Sequence, residues 1–392
     1  MKGNCLRAAQ EMEQEIVRHR RTLHRCAETG FDVPETTAYI DDVLKGYGYQ
    51  PKRLKKGGIV AEISPKEADR DGFILLRADI DGLKMKEESG VEFASENGNM
   101  HACGHDMHAA ALLGAAKLLR ERQEKLSVSV RLLFQPAEEI LQGARYALDA
   151  GVADGVRAAF SLHVLAGLDV SVGKILFSGA GEVAPSSDYF QVAVKGKSCH
   201  GGAPHGGVDA LLTAADILLR LQTVIAREVP CGKGVLTVGT LQGGDSPNAI
   251  AGECKFQGTL RAYDEQTRTF MKKRLKEIAG LTARSYRAAA RVSFSGGCPS
   301  LYQDKNVLRA TREAFEKEFG TSQIVSAEQG GVMRGGSEDF AYISRAVPSV
   351  TVSVSAAEGG VPLHNPRLVL DEQALCVCTA AYLTFALAGI GK

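Results

Sequence analysis

Neither sign of charge predominates in this chain of 392 residues: Lys and Arg number 47 against 46 Asp and Glu, a formal net charge of +1. A balance of that kind carries no electrostatic footprint for nucleic acid or an acidic surface, which leaves small molecules as the expected partners. No apolar run approaches the roughly eighteen residues that a membrane span requires. The opening stretch, MKGNCLRAAQEMEQEIVRHRR, alternates charge with apolar residues where a secretory leader would be continuously apolar. The nine cysteines, at 5, 26, 103, 199, 231, 254, 298, 376 and 378, are odd in number and scattered, with no pair of C-x-x-C clusters. That pattern suits a reducing compartment better than a disulfide framework, so a cytoplasmic, soluble protein is expected. Repeats, low-complexity tracts and long charge blocks are absent too. There is no Gly-x-Ser-x-Gly elbow for a serine nucleophile, and the glycine that a phosphate loop would need five residues before Gly196-Lys197-Ser198 is Gln191.

What is present is an ordinary globular composition, 44% hydrophobic, in a chain long enough for two domains. Apolar spacing predicts one helix over Leu6 to Leu23 and a second from Pro34 to Gly46. Strands follow at 58–63 and 72–78, then a helix opened by Asp106 as its N-cap, a strand at 128–134, a helical run after Gly143 and a strand at 157–164. Strand and helix in alternation imply an α/β domain whose mostly parallel sheet is flanked by helices. From Ser186 the rhythm changes to strand 189–196, helix 208–227, strands 234–241 and 253–263, helix 264–286 and strand 290–294. That order is β-α-β-β-α-β, the ferredoxin-like unit. An α/β parent domain at 1–185 and 296–392, interrupted by an inserted α+β domain at 186–295, is therefore expected.

The chemistry-bearing residues follow the predicted strands, where an open α/β sheet gathers its ligands. Asp79 and Asp81 come after the second strand, Glu138 and Glu139 after the third, His163 at the end of the fourth, and His364 lies in PLHNP beyond the strand at 349–355. HACGHDMH, residues 101–108, adds Cys103 and His105 ahead of a helix. Singly, each has a bland explanation, adjacent glutamates being a common solvated helix start. Five loops sending such side chains to one sheet edge point to a metal centre. Successive side chains leave the backbone in different directions, so Glu138 and Glu139 divide into one ligand and one general base. Thiolate, imidazole and carboxylate together suit zinc, manganese, cobalt or nickel better than magnesium or calcium.

The motifs RADID at 77–81, HACGHDMH at 101–108, FQPAEE at 134–139, LHV at 162–164, GKSCHGGAPH at 196–205, GSEDF at 336–340 and PLHNP at 362–366, with LHRCAETGF near the start, resemble the aminoacylase-like metal amidohydrolases. The resemblance is to the branch of hippurate hydrolases, N-acyl-amino-acid amidohydrolases and auxin-conjugate hydrolases. It implies two divalent metal ions per chain, with Cys103, His105, Glu139, His163 and His364 as ligands and Glu138 as acid and base. It also implies that Asp79 or Asp81 supports the metal centre, that His200 stabilises the transition state, and that Asn248 and Arg261 bind a substrate carboxylate. The inserted domain would be the family's dimerisation or lid domain, giving a homodimer or a higher homo-oligomer. Cys26, Lys84 and Ala251 stand where the family tends to have proline, and Ile140 where it tends to have glycine, which adds bulk beside the two glutamates.

The expected activity is hydrolysis of the amide bond of N-acyl amino acids. A dipeptidase or aminopeptidase on the same scaffold is the nearer rival, and a non-catalytic metal- or ligand-binding protein the more distant one. A structural zinc site is a closed cage of four ligands, whereas here a non-ligating glutamate stands next to a ligating one.

Overall fold

The run FILLRAD is apolar enough to be buried on both faces, and it forms the inner strand Phe73–Asp79 of an eight-stranded sheet. The computed structural model describes residues 3–65, 72–327 and 336–390. The chain divides into two compact units, Met1–Val183 with Tyr302–Arg334 and Glu338–Lys392, and Ala184–Leu301 with Gly335–Ser337.

In the larger unit the sheet order is Lys52–Arg53, Ile59–Ile63, Ser129–Gln135, Phe73–Asp79, Val156–Leu165, Ser349–Ser355, Ile175–Phe177 and Ile324–Ser326. The middle four strands are parallel neighbours, and antiparallel pairing enters only towards the edges. Their carboxyl ends therefore lie side by side, which is what later brings four loops together. The Ala374–Leu387 helix is apolar all round and buried, packing on the His105–Glu121 helix, and its Tyr382 hydroxyl donates to the Arg77 carbonyl at 2.7 Å. Phe385 stacks on Phe160 of the sheet at 4.8 Å between centroids.

Two local expectations are corrected. The helix expected over Leu6 to Leu23 is two, Asn4–Glu11 and Glu13–Arg25, because the Met12 N–H turns back on Ala9 O at 3.1 Å and closes the first. Both pieces keep an apolar face inward, so the periodicity runs through the break. Asp106 is not an N-cap: the His105–Glu121 helix starts after Gly104, and Asp106 Oδ2 takes His24 Nδ1 at 2.9 Å and Arg20 Nε at 3.1 Å. Gly104 has φ of 83°, and a Cβ there would come within 2.3 Å of Val164, so glycine is required twice over.

The smaller unit has strands Ser187–Lys195, Gly234–Gly243, Glu253–Ala262 and Ala289–Cys298 and helices Ala210–Thr223 and Glu265–Ser285. The second, third, first and fourth strands lie side by side, antiparallel throughout, in the ferredoxin-like arrangement. Phe190, Val192, Phe256, Ile217, Leu221 and Leu275 form a core of its own. Each helix is capped by the aspartate before it: Asp209 accepts from Leu212 N–H and Asp264 from Thr267 N–H. No helix among the described residues is long and apolar enough to cross a membrane.

Candidate metal centre and active site

Three of the middle strands deliver site residues directly. Phe73–Asp79 ends on Asp79 and leads to Asp81, Ser129–Gln135 leads to the glutamate turn, and Val156–Leu165 carries His163 near its end. Ser349–Ser355 leads on to His364, whose backbone N–H is held by Ala102 O at 2.8 Å. Cys103 Sγ lies 3.4 Å from His163 Nε2 and 3.3 Å from His364 Nε2. Glu139 Oε1 is 3.6 Å from His364 Nε2 and 3.9 Å from His105 Nε2, and Glu138 Oε2 is also 3.9 Å from His105 Nε2. Spacings of this size separate ligands sharing one ion at bond lengths of about 2.0–2.3 Å. Among the described residues, two trios able to hold a metal share the thiol, Cys103 with His105 and His163, and Cys103 with Glu139 and His364; His105 also groups with Glu138 and Glu139, Asp79 with His105 and His108, and Glu138 with Glu338 and Asp339.

The surrounding hydrogen bonds aim these atoms. His105 Nδ1 meets Asp81 O at 2.7 Å and His163 Nδ1 meets Val164 O at 2.6 Å. A carbonyl only accepts, so Nδ1 carries the proton in both rings and Nε2 faces the site. Asp81 Oδ1 and Oδ2 accept the N–H groups of Glu138 and Glu139 at 3.0 and 3.2 Å, bracing the turn. Asp79 Oδ2 takes Arg77 Nη1 at 2.7 Å and its Oδ1 takes His108 Nδ1 at 2.5 Å, while His108 Nε2 accepts from Val164 N–H. The two aspartates thus hold different parts of the cluster. Ala137, Leu141 and His364 have φ of 63°, 55° and 62°, a left-handed geometry that costs side-chain-bearing residues about 1–2 kcal/mol each. Three of the four such non-glycine residues among those described flank this site.

Charge gives an independent test of fit for metal. Among the described residues, Asp79, Glu338 and Asp339 pair with the fully buried Arg77 guanidinium, and Glu138 and Glu139 add further carboxylates to the same cluster. Burial by itself would keep the His105 ring neutral, but Asp79 and Cys103 outweigh it and raise its proton affinity well above the ordinary value. Burial, then Glu338 and Asp339, push the Glu138 carboxyl well up. Burial also raises the Cys103 thiol, and it lowers His163 to about 3 with help from His108. His105 Nε2 and Glu139 Oε1 are buried with no hydrogen-bond partner. A pocket rich in carboxylate, with two orphaned donor atoms turned towards each other, fits divalent cations.

The residues expected to contact substrate lie in the smaller unit. Asn248 and His200 are brought together by the short antiparallel ribbon Cys199–His200 and Ala249–Ile250, where Gly201 N–H donates to Asn248 O at 2.7 Å. The exposed His200 accepts Gly202 N–H at Nδ1, which leaves the proton on Nε2. Arg261 lies on Glu253–Ala262 and donates from Nη1 to Ser337 Oγ at 2.7 Å. Arg77, His108, Gln135, Glu338 and Asp339 carry no role that the sequence alone assigns. The available signals were a lone arginine inside FILLRA, a third histidine in HACGHDMH and the quoted but unassigned GSEDF.

A family model described as Peptidase family M20/M25/M40 matches residues 75–388. The N-acetyl-L-cysteine deacetylase of Bacillus subtilis (strain 168) is 35% identical over 369 residues, 93% of this chain and 85% of its own. The N-acyl-L-amino acid amidohydrolase of Geobacillus stearothermophilus is 32% identical over 300 residues, 76% of this chain and 80% of its own. The crystal structure of the Bacillus subtilis YXEP protein, described as a dinuclear metal binding peptidase, matches with a TM-score of 0.81 at 32% identity, covering 97% of this chain and 99% of that one. Matched by the family model over most of its length, with side chains able to hold metal gathered at its strand ends, the chain belongs to peptidase family M20/M25/M40.

Proposed function

We propose that this chain hydrolyses the amide bond of N-acyl amino acids, releasing a carboxylic acid and the free amino acid. The observation that carries the reading is the pair of adjacent carboxylates with different neighbours: Glu139 groups with Cys103 and His364, while the buried Glu138 joins no Cys103 trio, lies beside His105 and Glu139, and is reached by the Asp339 N–H. Relatives named N-acetyl-L-cysteine deacetylase and N-acyl-L-amino acid amidohydrolase support it. Cys103, His105, Glu139, His163 and His364 would hold two divalent cations, zinc, manganese, cobalt or nickel by ligand softness. When bound, these supply Lewis acidity that makes water a nucleophile near neutral pH.

The remaining steps belong to the chain. Glu138 accepts the proton of the attacking water as the C–O bond forms, then returns it to the amide nitrogen as the C–N bond breaks, a two-way duty suited to a raised carboxyl pKa. Asp81 holds the backbone of the glutamate turn, and Asp79 holds His108 and Arg77. His200, of this chain or of a partner copy, would donate from Nε2 to the oxygen of the tetrahedral intermediate. Asn248 and Arg261 bind the carboxylate of the amino-acid half, Arg261 through its forked donors.

The smaller unit would pair with its copy in a homodimer. Leu211, Leu212 and Leu219 form an exposed apolar stripe on the Ala210–Thr223 helix, and Gly234–Gly243, with Val235 and Leu241 exposed, is an edge strand. All nine cysteines are free, which accords with the cytoplasm. Assay of N-acetyl and N-benzoyl amino acids beside dipeptides with free amino termini tests the activity. Faster turnover of the acylated compounds is expected, and a preference for dipeptides would overturn the reading.

A further inference from the structure

The GSEDF motif contributes nothing to either trio around Cys103, but its Glu338 and Asp339 group with Glu138, and the Asp339 carboxylate accepts four hydrogen bonds. Asp339 is fully buried. Its Oδ1 accepts from Arg77 Nη2 at 2.8 Å and Gln135 Nε2 at 2.9 Å, and its Oδ2 accepts from Ala144 N–H at 2.7 Å and Gln135 Nε2 at 3.0 Å. Those partners sit at the ends of two adjacent strands and on the helix that follows the glutamate turn. The carboxylate is thereby pinned from three elements.

The backbone of the same residue faces the other way, its N–H donating to Glu138 Oε1 at 3.3 Å. Asp81 fixes the backbone of Glu138 but not its carboxylate. With Oε1 engaged by Asp339, Oε2 is the oxygen turned towards His105 Nε2, 3.9 Å away. One carboxylate oxygen is held and the other works.

We infer that Asp339 is a positioning residue for the reaction: its buried side chain, clamped by Arg77, Gln135 and Ala144, sets its own N–H against Glu138 and so selects Oε2 as the proton-transferring atom. The inference rests on Glu138 being the acid and base proposed above. A passive core residue would affect folding and metal retention. A positioning residue acts only through Glu138, so its effect vanishes when Glu138 is gone.

The test compares Asp339→Asn, Glu138→Ala and the double variant in the full, metal-loaded chain. Asparagine matches aspartate in size but turns an amide N–H against groups that are themselves donors. For Asp339→Asn, kcat should fall by about 10- to 100-fold, the range that a small misplacement of a catalytic group produces, with KM and bound metal within about twofold of wild type. Adding it to Glu138→Ala should leave the residual rate unchanged. Should Asp339→Asn not accumulate as folded protein, Gln135→Leu, which removes the amide touching both Asp339 oxygens, is expected to give the same pattern. The inference falls if the single variant turns over within twofold of wild type, or if the change slows the Glu138→Ala background by the same factor as wild type. Full activity in Glu138→Ala would instead remove the reading of Glu138 itself.

Discussion

Asp81→Ala probes the brace beneath the glutamate turn. The Asp81 carboxylate is fully buried and accepts the Glu138 and Glu139 N–H groups at 3.0 and 3.2 Å. Hydrogen bonds to a charged group are worth about 1.5–3 kcal/mol each, and an unsatisfied buried N–H costs a similar amount. Losing both should therefore destabilise the larger unit by roughly 3–6 kcal/mol, the lower figure applying if water enters. The turn is already strained by the left-handed Ala137 and Leu141, so without the brace it should relax. At about 2 °C per kcal/mol for a unit of this size, melting followed by circular dichroism should drop by about 6–12 °C. Asp81→Asn keeps one acceptor and sets an amide N–H against the other backbone N–H, so it should lose at least half as much. Metal affinity should fall with stability, because the turn carries Glu139. An Asp81→Ala protein melting within about 2 °C of wild type with full metal content would refute this reasoning.

Three further outcomes are expected. Burial alone would lower the His24 pKa, but Asp106 and Glu87 outweigh it and raise it to about 9 against an ordinary 6.5; its ion pairs should add about 3 kcal/mol below pH 6.5, declining as pH rises through 9. Urea unfolding of His24→Gln should therefore show a deficit at pH 6 that shrinks by pH 9.5, and an equal deficit at both would contradict the assignment. Because burial raises the Cys103 thiol, the metal-free site holds a proton there that a cation must displace. Apparent metal affinity should rise about tenfold per pH unit for that proton, read by titration calorimetry in two buffers of different ionisation enthalpy, where heat independent of buffer would exclude the release. Gly104→Ala forces a positive φ and a 2.3 Å approach to Val164, so it should cost about 2 kcal/mol or more and loosen metal at Cys103 and His105.

Much of this centre was legible because its signals are local. Apolar runs mark the inner strands, and side chains able to hold metal stand in the loops beside them, so the sequence alone places Cys103, Glu139, His163 and His364 at one sheet edge. The alternation of strands and helices likewise carries the ferredoxin-like unit. What was not legible depends on contacts distant in sequence. Asp106 resembles a cap by its neighbours, but its partners, His24 and Arg20, are 82 and 86 residues away. Arg77 breaks an apolar run as an exposed strand residue would, yet it is buried because Asp339, 262 residues on, meets it. The ribbon joining His200 to Asn248 is two residues wide on each side, too short for alternation to register. The break at Met12 leaves helical periodicity intact, so no pattern of hydrophobicity could mark it.

The central claim is that loops from separate strands hold two cations that serve an amide-cleaving water. Metal stoichiometry after chelation and reloading, measured by mass spectrometry alongside turnover of an N-acyl amino acid, tests it most directly. Two ions per chain are expected, with hydrolysis lost on chelation and regained on reloading. One tightly held ion per chain with no turnover would contradict it.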